Sequence, residues 1–124
     1  MSKIRRNITQ FTYDIEEAIG YIQNDLSDKS FEEFSSDVKT ISFVERQLEK
    51  IGEAITQIQK LDKEILYKIY NNKSYWEDIK GMRNRLIHEY WGTSIDMLYN
   101  VSVLELDELK EYIKEIRKIY EFTL

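Results

Sequence analysis

The sequence has no cysteine, no proline, only four glycines and a single histidine, His88. Without cysteine there is no disulfide scaffold, no thiolate metal site and no thiol nucleophile. One histidine excludes a multi-histidine metal site within one chain. The scarcity of proline and glycine argues against two packed β-sheets, whose turns use those residues heavily. No apolar run approaches the roughly 20 residues that a membrane-spanning helix needs. The opening MSKIRRNITQFTYD is basic but has no apolar stretch behind it, so it does not read as a secretory signal. The expected setting is the reducing cytoplasm.

Apolar and charged residues make up most of the chain. At 42% hydrophobic and 33% charged over 124 residues, it has enough apolar surface to exclude disorder and enough length to bury a core. The net charge of -5 argues against a passive nucleic-acid coat, which is normally basic. It leaves room for an enzyme that handles RNA in a locally basic cleft, or for a protein that docks on a basic partner. With no internal repeat and no Ser/Gly linker, residues 1–124 read as one domain.

Apolar residues recur at helical spacing nearly throughout. A first helix is predicted from about Lys3 to Asn24, with Ile4, Ile8, Phe11, Ile15, Ala18, Ile19 and Ile22 on one stripe. Ser30 with Glu33 reads as a capping box that opens a short turn of helix at FEEF. A second long helix spans about Asp37 to Lys60, with Val38, Ile41, Val44, Leu48, Ile51, Ile55 and Ile58 inward. Gly52 falls near that apolar arc. A mid-helix glycine costs about 1 kcal/mol relative to alanine, and close approach of another helix would justify it. Glu45 and Glu49 border the arc. Asp62 can cap a short third helix, KEILYKIY. Ser74 with Glu77 forms a second capping box, starting a fourth helix that runs through Trp91 and ends at Gly92. From about Ser94 to Phe122 the pattern gives one kinked helix or two in sequence. Its ELDELKEYIKEIRK stretch reads as a solvated face with i,i+4 Glu/Lys pairs. The fold class is therefore all-α, an up-down bundle of four main helices with short extra helices.

The fourth helix, SYWEDIKGMRNRLIHEYWG, carries the one unusual pattern. At about 100° per residue, Trp76, Ile79, Leu86, Ile87 and Tyr90 lie within about 60° of Arg83. An arginine centred on an apolar face needs partners, or its helix lines a cleft. Asn84 and His88 stack on the adjoining strip, and Lys80 and Arg85 add positive charge nearby. Histidine can exchange protons near neutrality, and arginine offers a planar fork of donors to a phosphate. RNA supplies its own nucleophile, the 2′-hydroxyl, so these groups suffice for metal-free strand cleavage to a 2′,3′-cyclic phosphate. The same residues could instead be a structural buried arginine and a surface histidine, since Arg-x4-His is common by chance.

The run WEDIKGMRNRLIHEYWG resembles the signature helix of the HepT-like HEPN-domain proteins, RNase toxins of a bacterial and archaeal toxin–antitoxin class. Their motif, Arg-x4-His-x-Tyr with a polar residue after the Arg, falls here on Arg83, Asn84, His88 and Tyr90. The block RQLEKIGEAI, residues 46–55, resembles the family's second block, and the order and spacing of the two agree. The chain departs at Ser74-Tyr75-Trp76, where many relatives carry a proline before the Trp. The resemblance implies a metal-independent endoribonuclease without cofactor, with Arg83 and His88 catalytic and Asn84 orienting the phosphate or the imidazole; Lys80 and Arg85 are expected at the RNA phosphates from their charge beside the motif. It further implies a homodimer and a minimal nucleotidyltransferase antitoxin that transfers AMP from ATP to Tyr90. A rival reading is a non-catalytic helical partner that presents a surface to such a transferase.

On one ideal helix Arg83 and His88 point about 140° apart. A two-fold dimer would converge two copies of the motif on one groove, with part of the apolar face around Arg83, including Trp76 and Ile79, packed on the second chain.

Overall fold

The computed structural model describes residues 3–82 and 93–122, and every regular element among them is helical. The first helix, α1 (Lys3–Leu26), buries Ile8, Ile15, Ala18, Ile19 and Ile22 on the predicted stripe. Ile4, placed on the same stripe, is instead exposed, because the first turn runs past the end of the partner helices' apolar faces. The Ser30–Glu33 box forms as read. The Glu33 amide donates to Ser30 Oγ at 3.2 Å, and the Ser30 amide donates to Glu33 Oε1 at 3.0 Å, opening α2 (Phe31–Ser35). Hydrogen bonding from the Ser30 amide, then from the Ser30 hydroxyl, holds the Glu33 carboxyl below its ordinary range. Phe34 is fully buried beneath this short helix.

Asp37 caps the second long helix, α3 (Val38–Leu61), by accepting from the Thr40 amide at 3.1 Å and the Thr40 hydroxyl at 2.8 Å. Those bonds hold the Asp37 carboxyl below its usual value. Val44, Leu48, Ile51, Ile55 and Ile58 face the core. Val38, expected on that stripe, is 75% exposed, because it occupies the first helical position, outside the packed length. Asp62 closes α3 rather than capping the next helix through its side chain. The helix α4 (Ile65–Ile69) starts after Glu64, with no side-chain cap. The Asp62 carboxylate accepts from the Glu64 amide at 3.3 Å and from the Tyr120 hydroxyl.

The next helix, α5 (Lys73–Lys80), begins two residues before the predicted start. Asn72 is its cap, accepting from the Tyr75 amide at 3.1 Å, so the Ser74–Glu77 box is not used. Asparagine is as strong a cap as serine, and it comes first in the chain. The fourth helix was also expected to continue unbroken to Trp91. It stops at Gly81, whose amide donates back to the Glu77 carbonyl at 2.9 Å. The angular relation of Trp76 and Ile79 to Arg83 assumed a helix continuous through that glycine.

The last quarter is one continuous helical run: α6 (Thr93–Asn100), a π-turn (Val101–Glu105) and α7 (Leu106–Phe122). The kink foreseen in this stretch takes the form of that π-turn. In the assembled bundle α1 packs on both α3 and α7, α5 packs on α3, and α4 packs on α7. The core is continuous from Ile8 to Ile116, and each fully buried isoleucine contributes about 2 kcal/mol by transfer from water.

Two charged groups are partly buried. Arg117, in the stretch read as a solvated face, keeps only 11% of its side chain exposed. It pairs with Glu16 of α1 at 2.6 Å, donates through Nε to the buried Thr12 hydroxyl at 3.1 Å, and lies 3.8 Å over the Tyr13 ring. Glu45 on α3 is half-buried, and burial, with the Glu49 charge beside it, raises its carboxyl pKa.

Candidate functional site

The positions that enter the Arg83 motif are fixed by α5. Gly52 of α3 is its seat: a Cβ there would lie 2.8 Å from the Ile79 carbonyl oxygen, so α5 rests directly on the backbone of α3. The close approach that a buried mid-helix glycine implied is therefore present, and the approaching element is the helix that leads into the motif. Trp76 anchors the same helix. It is fully buried in its own chain, and its Nε1 donates to the Tyr70 carbonyl at 2.8 Å. The expectation that Trp76 packs on a second copy is corrected by this burial, which leaves it no surface to offer. Ile79 is partly buried against the same core.

Around Trp76 stands an aromatic cluster. Tyr70 stacks on Tyr112 with centroids 5.0 Å apart, and Tyr75 meets Tyr70, Trp76 and Tyr112 edge to face. Burial, then the charge of Glu108, pushes the Tyr75 phenol well above its ordinary range. The Tyr112 hydroxyl donates to Glu108 at 2.5 Å, and that bond leads the causes that push it up to about 12. Both phenols are protonated at neutral pH and present neutral hydrogen-bonding groups. Nothing in the spacing of these tyrosines along the sequence showed that three of them meet.

A cavity of about 290 Å³ opens between α3, α5 and the α6–α7 run. Leu48, Ile51, Ile79, Met82, Met97 and Leu109 form its apolar walls. Tyr75 contributes a phenol, and the exposed Asp78, Asn100 and Glu105 contribute polar groups. Met82 directly precedes Arg83 in the chain, so the cavity adjoins the point where the motif begins.

Of the residues singled out from the sequence, Lys80 is within the described residues. Its ammonium pairs with Glu77 at 3.1 Å and donates to Gln59 Oε1 of α3, with 18% of the side chain exposed. It is held by its own chain at the exit of α5. Arg83, Asn84, Arg85, His88 and Tyr90 lie outside the described residues, as do Trp91 and Gly92. Among the described residues no group of three metal-binding side chains occurs, and no helix is long and apolar enough to cross a membrane.

With this helical architecture and motif established, comparison with known proteins gives the family. A family model described as "Ribonuclease HepT-like" matches residues 15–116, and the chain belongs to that family. It is 43% identical over 88 residues to "Putative RNase TTE0752" of Caldanaerobacter subterraneus, covering 70% of this chain and 73% of that one. It is 33% identical over 117 residues to "Putative RNase MJ0125" of Methanocaldococcus jannaschii, covering 94% and 97% of the two chains. "Probable ribonuclease HepT" of Thermococcus cleftensis is 32% identical over 115 residues, covering 93% of this chain and all of that one. No solved structure matches the chain.

Proposed function

We propose that this protein is a metal-independent endoribonuclease toxin, neutralised by AMP transfer to Tyr90 from a nucleotidyltransferase antitoxin. The observation that carries the reading is the intact Arg83-x4-His88-x-Tyr90 motif in a chain that belongs to the HepT-like ribonuclease family over most of its length.

In this reading His88 accepts the proton of an RNA 2′-hydroxyl as its oxygen attacks the adjacent phosphorus. The bond from phosphorus to the 5′-oxygen breaks. The departing oxygen is protonated, giving a 2′,3′-cyclic phosphate and a 5′-hydroxyl end. Arg83 stabilises the extra negative charge on the pentavalent phosphorus, and Asn84 orients the phosphate or the imidazole. Arg85 contacts neighbouring phosphates. Lys80, already engaged by Glu77 and Gln59, adds positive field at the edge of the site. The Tyr90 hydroxyl is the acceptor in the switch: its oxygen bonds to the α-phosphorus of ATP and pyrophosphate leaves. The added nucleotide brings bulk and negative charge to the place that RNA phosphates must occupy. A homodimer with both motifs on one groove completes the proposal.

The test is purified protein with RNA in excess chelator. Cleavage to cyclic-phosphate ends, lost in His88→Ala, is the expected result. Intact RNA together with tight binding to a nucleotidyltransferase would overturn it in favour of the non-catalytic partner. Incubation with ATP, magnesium and the transferase adds multiples of the AMP mass, and Tyr90→Phe abolishes the addition. Light scattering is expected to give about 30 kDa, twice the 15.0 kDa chain.

A further inference from the structure

We propose that the cavity between α5 and the π-turn is a base-recognition pocket that takes one guanine of a single-stranded RNA. The proposal rests on the ribonuclease reading and names what that site selects. Four observations point to this occupant.

The first is size. At about 290 Å³ the cavity lies at the small end of ligand pockets, room for one flat heterocycle and too little for a helix or strand of a protein partner. The second is the character of the walls. Ile79 and Met97 are apolar, Met97 brings a polarisable thioether, and Tyr75 adds an aromatic ring held by its contacts with Tyr70, Trp76 and Tyr112. Sequence-specific RNA recognition commonly splays out single-stranded bases, stacks them on such side chains and reads their Watson–Crick edges.

The third is the polar rim. Asp78 comes from α5, and Asn100 and Glu105 from the start and end of the π-turn. Both carboxylates are on exposed residues at the rim, where they can turn to a ligand. Guanine is the RNA base that offers two adjacent donors, N1–H and the N2 amine, which fork onto a single carboxylate. Its neighbouring O6 accepts, and the Asn100 amide can donate to it. Adenine, cytosine and uracil each leave part of that arrangement unmatched. Two negative charges at the mouth also keep phosphate groups out, so a base enters while its backbone stays outside. The fourth is position. Met82 lines the pocket and is the residue before Arg83, so a base seated here belongs to a nucleotide next to the bond being cut. A π-turn at the rim agrees with the recurrence of such turns at functional sites.

The experiment uses the whole protein and short RNAs whose single guanosine carries a 2′-O-methyl group, so that binding is read without cleavage there. Fluorescence anisotropy compares guanine with inosine, which lacks only the N2 amine. The expected result is about tenfold tighter binding of the guanine oligomer, in the range for one bidentate contact. In Asp78→Asn with Glu105→Gln that ratio collapses toward one. Both side chains are exposed and the replacements are isosteric, and the wild-type comparison alone already tests the pocket. Equal affinities for guanine and inosine overturn the proposal. So does displacement of no RNA by a guanidinium-bearing peptide that itself requires Asp78 and Glu105, which assigns the pocket to a protein partner. Protein that cleaves unmodified RNA without base preference refutes the pocket and leaves the nuclease standing. Protein that binds guanine selectively and cleaves nothing refutes the nuclease and leaves the pocket.

Discussion

Replacing Gly52 by alanine tests the seating of α5 on α3 directly. The new Cβ would lie 2.8 Å from the Ile79 carbonyl oxygen, where ordinary contact begins at 3.4 Å. The obstacle is backbone, which cannot swing aside, so α5 must move off by about 0.6 Å, the difference between those distances. Overpacking of this kind costs about 1–3 kcal/mol. Alanine recovers about 1 kcal/mol of helix propensity. The expected net loss is about 0–2 kcal/mol, centred near 1, a fall in Tm of roughly 4 °C for a chain of this size. Gly20 is the matched control. It sits within α1, is exposed, and has nothing within 4 Å of a built Cβ. Gly20→Ala therefore gains stability, by about 0.4–1 kcal/mol. Thermal unfolding followed by circular dichroism at 222 nm reads both. Gly52→Ala gaining stability as Gly20→Ala does would refute the close approach.

Further expectations follow from the other buried groups and from the motif. Arg117→Met strands the Glu16 carboxylate and removes the cation from Tyr13, and a loss of about 2 kcal/mol in urea unfolding is expected, moderated because Glu16 keeps some solvent. Glu45→Gln raises Tm at pH 7. The folded state raises the Glu45 pKa, so its penalty is full above that raised value and absent below the unfolded one; a scan at pH 3 should show no gain. Arg83→Ala and His88→Ala each lower RNA cleavage by at least about 100-fold with helical content retained, and full activity in His88→Ala would sink the mechanism.

The long helices were legible because their stripes are isoleucine-rich, and the Ser30–Glu33 box because each side chain bonds the other residue's amide, a purely local pairing. Gly52 was legible because an unfavoured residue on an apolar arc needs a tertiary reason. Asn72 was missed because two adequate caps lie two residues apart, and sequence does not rank them. The break at Gly81 was missed because the apolar period runs straight through it. Arg117 follows Ile116 and lies four residues beyond Ile113, so it borders the buried stripe, but its charge sent it to the solvent face. The matching signal was Thr12, a polar residue inside the α1 stripe, and Glu16 one turn on, which together waited for a cation. The cavity was invisible for a different reason: Asp78, Asn100 and Glu105 come from segments whose meeting depends on the seat at Gly52 and on the π-turn.

That π-turn also has a meaning in the language of insertions and deletions. Five residues wound with i→i+5 bonds amount to an α-helix that has absorbed one extra residue. Removing a single residue between Val101 and Glu105 would let the run close into a plain α-helix with its flanks in almost their present rotation, because four α-helical residues turn the chain about as far as five in the wider π winding. Leu98 would stay in the core, and Met97 and Asn100 would still face the cavity. The extra residue is carried locally: it widens one turn at the rim without turning α6 against α7.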